Sequence, residues 1–302
     1  MKLSINHYSF LINHSSLLIH HQSTKKLVVF PNAKINLGLN ILRKRPDGYH
    51  DIASCFVPVP YTDILEILPA QKFSFASSGI PIPGNEKDNL CIKAYQLLQK
   101  DFQLPPVQIH LHKVIPIGAG LGGGSADASF TLRCLNEMFE LYLDDFLLEE
   151  YAAKLGSDCP FFIRNEAVMA YGTGNEFEAI NLNWQNPYLL LATPAIHVAT
   201  AEAYAGIQPD DSRTDPKEII EKKPLPKWKE LLRNDFETTV FQKYPAIAGI
   251  KDRLYKSGAI YASMSGSGAS VFGIFEQQPE TALEDYFSAD NTIWQGWLSD
   301  LT

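Results

Sequence analysis

Apolar and polar positions alternate with period two along Lys34-Ile-Asn-Leu-Gly-Leu-Asn-Ile41, the signature of a β-strand with one face in a core. This spacing predicts Ile35, Leu37, Leu39 and Ile41 on the buried face, with Lys34, Asn36 and Asn40 together on the other. Arg43 to His50 follows as a hairpin tip, because Pro46-Asp47-Gly48 supplies the backbone preferences of a tight reversal. Val107 to Lys113 alternates in the same way and predicts a second half-buried strand. The period then changes. Ala128, Leu132, Leu135 and Phe139 recur at helical spacing, which predicts an amphipathic helix beginning near Ser125.

A second helix is expected from about Asp145 to Leu155, with Gly156 as a left-handed cap that leaves Ser157, Asp158 and Cys159 in a loop. Tyr188 to Ala192 is a short apolar run that reads as a buried strand opening a second lobe. Asp210 to Lys229, rich in proline, lysine and acidic residues, is expected to be a solvated loop or exposed helix. Ala259 to Ser263 and Ser270 to Phe275 read as a strand pair around Ser265-Gly-Ser-Gly268. Strands and helices mixed in this order, over 302 residues, predict an α/β (α+β) protein of two lobes. The expected division is a leader over 1–26, an N-terminal domain over 27–186 and a C-terminal domain over 187–302.

The leader, Met1 to Gln22, is interrupted by His7, Asn13, His14, His20 and His21, so it cannot supply the roughly 20 consecutive apolar residues of a membrane span. It is read as an appended segment, with a folded extra strand as the competing reading. Composition narrows the functional classes further. With 45% hydrophobic and 20% charged residues the chain has the make-up of a globular protein. A net charge of -8 opposes general affinity for nucleic acid or anionic membrane, so anionic ligands must be held locally. Cys55, Cys91, Cys134 and Cys159 form no CxxC pair and no secreted disulfide spacing, which fits a reducing cytoplasm.

The sharpest chemical signal is Pro116-Ile-Gly-Ala-Gly-Leu-Gly-Gly-Gly-Ser125. Such glycine density lets successive backbone N–H groups turn towards a phosphate, and the helix that follows adds its N-terminal dipole. No Gly-Lys-Ser or Gly-Lys-Thr ends the run, so it is not a Walker A loop. A flexible linker is the bland alternative, and linkers rarely lead straight into a periodic helix. His110-Leu-His112 places two imidazoles on one strand face without a third ligand in sight, and is read as a solvated face rather than a metal site.

Together with Ala126-Asp-Ala128, that run resembles the second signature of the GHMP kinases, the superfamily of galacto-, homoserine and mevalonate kinases. Pro31-Asn-Ala-Lys-Ile-Asn-Leu37 resembles the first signature, and Met264-Ser-Gly-Ser-Gly-Ala-Ser-Val-Phe272 the third. Arg45-Pro-Asp-Gly-Tyr-His50 and Leu155-Gly-Ser-Asp-Cys-Pro-Phe-Phe162 are similar to the branch that phosphorylates a cytidine diphosphate sugar-alcohol. The resemblance implies a ribosomal-protein-S5-like N-terminal lobe, a ferredoxin-like C-terminal lobe and a cleft between them. It further implies small-molecule substrates, ATP and that sugar-alcohol, with Mg2+ as companion of the ATP. A monomer or homodimer is expected.

By position the resemblance makes Lys34 and Asp158 the catalytic pair, and Pro116, Gly118, Gly120, Leu121, Gly122, Gly123, Gly124 and Ser125 the ATP site. It makes Asn36, Tyr49, His50, Phe56 and Tyr204 the substrate site, the aromatic rings stacking on cytosine while His50 reads its edge. Gly122 and Gly123 are the positions where a missing Cβ is expected to admit the phosphates. Magnesium is expected on phosphate oxygens and the Ser125 hydroxyl, with no dedicated carboxylate cage. Phosphoryl transfer asks chiefly for positioning and charge neutralisation. Asp158 can accept the hydroxyl proton of the acceptor, and Lys34 can neutralise charge on the travelling phosphate.

Overall fold

The computed structural model describes residues 9–13, 16–21, 26–182, 184, 186–279 and 291–301. Strands β1 (Ser9–Asn13), β2 (Ser16–His21) and β3 (Lys26–Val29) open the chain. The long hairpin β4 (Asn32–Lys44) and β5 (His50–Thr62) follows, then β6 (Ile64–Pro69), β7 (Ser74–Gly79), α1 (Leu90–Phe102) and β8 (Val107–Lys113). Helices α2 (Gly123–Met138), α3 (Asp145–Ala153) and α4 (Phe161–Arg164) precede β9 (Val168–Tyr171) and β10 (Glu176–Ala179). The remainder comprises β11 (Tyr188–Pro194), α5 (Thr200–Tyr204), α6 (Pro216–Lys222), α7 (Trp228–Leu231), α8 (Phe236–Lys243), α9 (Pro245–Lys256), β12 (Tyr261–Met264), β13 (Val271–Phe275) and β14 (Asn291–Trp297).

Three sheets carry these strands, in the orders β1-β2-β3-β6-β8-β7, β10-β9-β5-β4 and β12-β13-β11-β14. Neighbouring strands are antiparallel except β7 and β8, which the α1 crossover makes parallel. One core lies between the first sheet and helices α1 to α4, and includes Leu65, Ile109, Tyr95 and Phe130. A second joins the second and third sheets through Ile35, Leu37, Val57, Leu189 and Phe272. A third covers the other face of the third sheet with α5, α8 and α9, and includes Leu190, Phe236 and Ile250.

The alternation along β4 is interrupted by one extra residue. Leu37 opposes Cys55 and Asn40 opposes Ala53, so Gly38 and Leu39 together face Ser54 alone. This β-bulge reverses the strand's phase. Ile35 and Leu37 enter the second core, whereas Leu39 and Ile41 enter the third beside Ile52. Lys34 and Asn36 face the cleft, but Asn40 does not join them, and its amide donates to the carbonyl of Thr214. The bulge depends on Gly38, whose φ is +65° and where a Cβ would meet the Leu232 side chain at 2.5 Å. Strict period-two reading could not reveal it.

Several other expectations are corrected. Helix α2 begins at Gly123, two residues before Ser125, so the last glycines of the run form its first turn. Helix α3 ends with Lys154 in right-handed conformation, and Gly156 is not among the positive-φ glycines. The 210–229 stretch is exposed over much of its length, as expected, but not throughout. Pro216, Ile219, Ile220 and Trp228 are buried there, because α6 and α7 lay their apolar sides against the second core. Ahead of Lys26 the folded reading holds for β1 and β2, which extend the first sheet from β3. The leader's residues 1–8, 14–15 and 22–25 lie outside the described residues.

Candidate active site

A cleft of about 1320 Å³ runs between the lobes, lined by the glycine loop, Lys34, Asp158, His50 and Tyr204. Its floor is β4. Lys34 is buried, its side chain 4% exposed, because both faces of the second sheet are covered and its backbone N–H donates to the Leu121 carbonyl at 2.9 Å. A buried ammonium must be compensated. Lys34 Nζ donates to Asn36 Oδ1 at 2.8 Å, lies 3.3 Å from Asp158 Oδ2 and stands 4.2 Å from the centre of the Phe56 ring. Asp158, partly exposed to the cleft, is carried by the loop between α3 and α4. The two catalytic candidates therefore meet, one on a rigid strand and one on a loop fixed by the buried α4.

The glycine loop leaves β8 at Lys113 and turns into α2 with Gly122 as its N-cap. Its shape is held from below by the third signature. Ser265 Oγ donates to the Gly120 carbonyl at 2.8 Å, and the Ser270 N–H to the Ala119 carbonyl at 3.2 Å. Gly120, at φ +78°, sits so close to the Ser265 carbonyl that no Cβ could stand there. The Asn234 amide donates to the carbonyls of Met264 and Gly266 at 2.8 Å each and fixes the segment that fixes the loop.

The room for a Cβ differs from one glycine of the run to the next. A Cβ on Gly122 would meet Phe162 at 2.9 Å, and one on Gly123 would meet Ile115 at 3.0 Å, so a side chain at either would press into the protein, although both residues line the cleft. Gly124 is exposed, has nothing in the Cβ direction within 4 Å and lines the cleft. Ser125 lies in the same first turn and also lines the cleft, so its hydroxyl is available to a hard cation that brings its own phosphate oxygens. Among the described residues no group of three His, Cys, Asp or Glu could hold a metal.

On the opposite wall, the His50 and Tyr204 rings stack with centroids 4.5 Å apart and planes 18° from parallel. Tyr49 is 62% exposed at the same tip. Burial, followed by the charge of Lys44, lowers the His50 pKa, which favours the neutral imidazole that can both donate and accept. Burial, followed by Asp158, raises the Tyr204 hydroxyl pKa. Phe56 is not part of this wall. It is 1% exposed, packs edge-on against Phe161 and lies under the Lys34 ammonium, so it does not reach the cleft as the expected substrate role requires.

Other cleft residues carry no motif. His197 stands beside Gly118, and the 82–90 segment forms a further wall. Beneath the loop, Lys113 Nζ is paired with both Asp63 and Asp127, and Asp63 also accepts the N–H groups of Val114 and Ile115 at 2.6 and 2.9 Å. The alternation of β8 placed Lys113 but gave no hint of two buried carboxylates around it. His110 and His112 share one neighbour, Ser78 Oγ, at 3.0 and 2.9 Å.

Comparison with known proteins decides the lineage. Residues 89–166 match the GHMP kinases N terminal domain, and residues 217–290 the GHMP kinases C terminal domain. The 4-diphosphocytidyl-2-C-methyl-D-erythritol kinase of Cytophaga hutchinsonii is 52% identical over 268 residues, covering 88% of this chain and 99% of its own. That of Parabacteroides distasonis is 49% identical over 273 residues, covering 90% and 100%. The chain belongs to the 4-diphosphocytidyl-2-C-methyl-D-erythritol kinase family. A crystal structure of 4-(cytidine 5'-diphospho)-2C-methyl-D-erythritol kinase superposes with a TM-score of 0.76 at 30% identity, over 89% of this chain and 98% of that one. A mevalonate kinase at 15% identity and TM-score 0.63 shares the fold. In this chain the aromatic tip and the Lys34–Asp158 pair line one continuous cleft.

Proposed function

We propose that the chain transfers the γ-phosphoryl group of ATP to the 2-hydroxyl of 4-diphosphocytidyl-2-C-methyl-D-erythritol, giving the 2-phosphate and ADP. The reaction belongs to non-mevalonate isoprenoid precursor synthesis in the cytoplasm. The observation that carries this reading is the 3.3 Å approach of Lys34 and Asp158, in a cleft bounded by a phosphate-type glycine loop and a stacked His–Tyr wall. The backbone N–H groups at the start of α2 would receive the nucleotide phosphates, with the helix dipole behind them. The Ser125 hydroxyl would help to hold a magnesium ion that arrives with the nucleotide, and that ion would supply charge neutralisation. Asp158 takes the proton of the acceptor hydroxyl as its oxygen bonds to the γ-phosphorus and the bond to the ADP oxygen breaks. Lys34 neutralises charge on the moving group.

His50 and Tyr204 set the substrate class, since a stacked aromatic wall with a neutral imidazole suits a nucleobase. The test is ADP release by the purified protein with Mg-ATP and each candidate acceptor. Turnover on the cytidylyl compound is expected. Turnover on homoserine or mevalonate without it would overturn the reading.

A further inference from the structure

We propose that Ser54 is a positioning residue for phosphoryl transfer, acting on Lys34 through the side-chain amide of Asn36. This rests on the activity proposed above. The chain of contacts is short and dry. Asn36 Nδ2 donates to Ser54 Oγ at 2.9 Å, and Ser54 Oγ donates to the Gly38 carbonyl at 2.6 Å. Asn36 and Ser54 are 1% and 0% exposed, so no solvent can replace either bond.

The direction of each bond follows from the chemistry. A backbone carbonyl only accepts, so the single Ser54 proton goes to Gly38 and leaves the hydroxyl oxygen as an acceptor for Asn36. Asn36 must then present its NH2 to Ser54 and its Oδ1 to the Lys34 ammonium. With the amide turned over, two N–H groups would face that ammonium and the serine oxygen would lose its donor. Gly38 can accept because it lies in the bulge of β4, outside the ladder register with β5. The irregularity in the strand thus fixes which end of Asn36 meets the catalytic lysine. Lys34 keeps Asp158 and the Phe56 face as its other neighbours, and Asn36 Oδ1 is the nearest of the three.

The experiment compares the full-length parent, Ser54→Ala, Asn36→Ala and the double variant by kcat, by directly measured dissociation constants for both substrates and by thermal melting. Ser54→Ala leaves the buried Asn36 NH2 without its acceptor and frees the amide to turn from Lys34, so kcat should fall by about 10-fold while both dissociation constants hold. In the Asn36→Ala background the Ser54 change should cost nothing more, because the path is already cut. An unchanged kcat in Ser54→Ala, or losses that multiply in the double variant, would overturn the proposal. A second readout needs no turnover: the Asn36 amide protons, protected from exchange in the parent, should exchange faster in Ser54→Ala, and equal protection would also overturn it. If the parent itself phosphorylated nothing, the activity would be refuted while the exchange measurement still decided the role of Ser54. Should Ser54→Ala not fold, Ser54→Cys, of similar size and a weaker donor, is read in the same way.

Discussion

Lys34 Nζ and Asp158 Oδ2 stand 3.3 Å apart, one side chain almost wholly buried and the other open to the cleft. Asp158→Asn keeps the shape and removes both base and charge. It should lower kcat by about 10²–10⁴-fold, with directly measured substrate dissociation constants little changed. Lys34→Met should also lower kcat, and the double variant should lose less than the product of the single losses, since the pair acts together. A kcat within a few-fold of the parent in Asp158→Asn would show that transfer proceeds by positioning alone.

The glycine loop separates ligand access from packing. Gly124→Val places a side chain in open cleft, so ATP affinity should fall while the melting temperature holds. Gly123→Val pushes into Ile115 and Lys113 and should lower stability by about 1–3 kcal/mol, the usual cost of overpacking. Isothermal titration with ATP, paired with thermal melts, distinguishes the two. Loss of ATP affinity without loss of stability in Gly123→Val would place the phosphates on the other side of the helix turn.

Two aromatic residues, one on the cleft wall and one buried beneath Lys34, should respond differently. Tyr204→Ala removes a stacking face worth roughly 1–3 kcal/mol per base, so affinity for the cytidylyl substrate should drop by about 10-fold or more at unchanged ATP affinity. Phe56→Leu removes the ring under Lys34 and should lower kcat with substrate affinity retained. Substrate affinity that falls in Phe56→Leu and not in Tyr204→Ala would reverse this assignment.

Under the loop, burial pushes the Asp127 carboxyl up to about 7, with Asp63 adding and Lys113 opposing, and its Oδ1 has no hydrogen-bond partner. A carboxyl raised on folding stabilises fully below its unfolded value, near 4, and loses that contribution as pH rises to about 7. Asp127→Asn abolishes the loss, so its melting temperature relative to the parent should climb between about pH 4 and 7 and level off above. Asp63→Asn should be destabilising throughout, because its amide oxygen can still accept from Val114 and Ile115 but its NH2 then faces the buried Lys113 ammonium in place of a carboxylate oxygen. A pH-independent difference for Asp127→Asn would mean that Asp127 titrates as an ordinary carboxylate.

What could be read from the chain was whatever periodicity and local chemistry encode. Strand β8 ends where its alternation ends, at Lys113, and the glycine run announced its helix. Pairing Lys34 with Asp158 came from resemblance, since nothing local links a strand lysine to a loop aspartate. The bulge at Gly38 was invisible because glycine fits either phase, and only the register against β5 shows which residues it turns. Phe56 was misplaced for a related reason: an aromatic residue on a cleft-facing strand can reach the ligand or lie beneath its neighbour, and packing against Phe161 decides. Asn234 and Ser265 act through backbone carbonyls, which sequence does not display.

Ser265 and Ser270 hold the curve of a loop that lies about 150 residues earlier in the sequence, and the strand lysine which that loop covers comes earlier still. Splitting the protein between Ala179 and Tyr188 would therefore yield no half-enzyme. The first piece would retain its glycines without the brace that bends them, and the second would retain the brace with nothing to bend. Activity should return only when the fragments are mixed, which makes this cleft a natural reporter for reassembly of its own two parts.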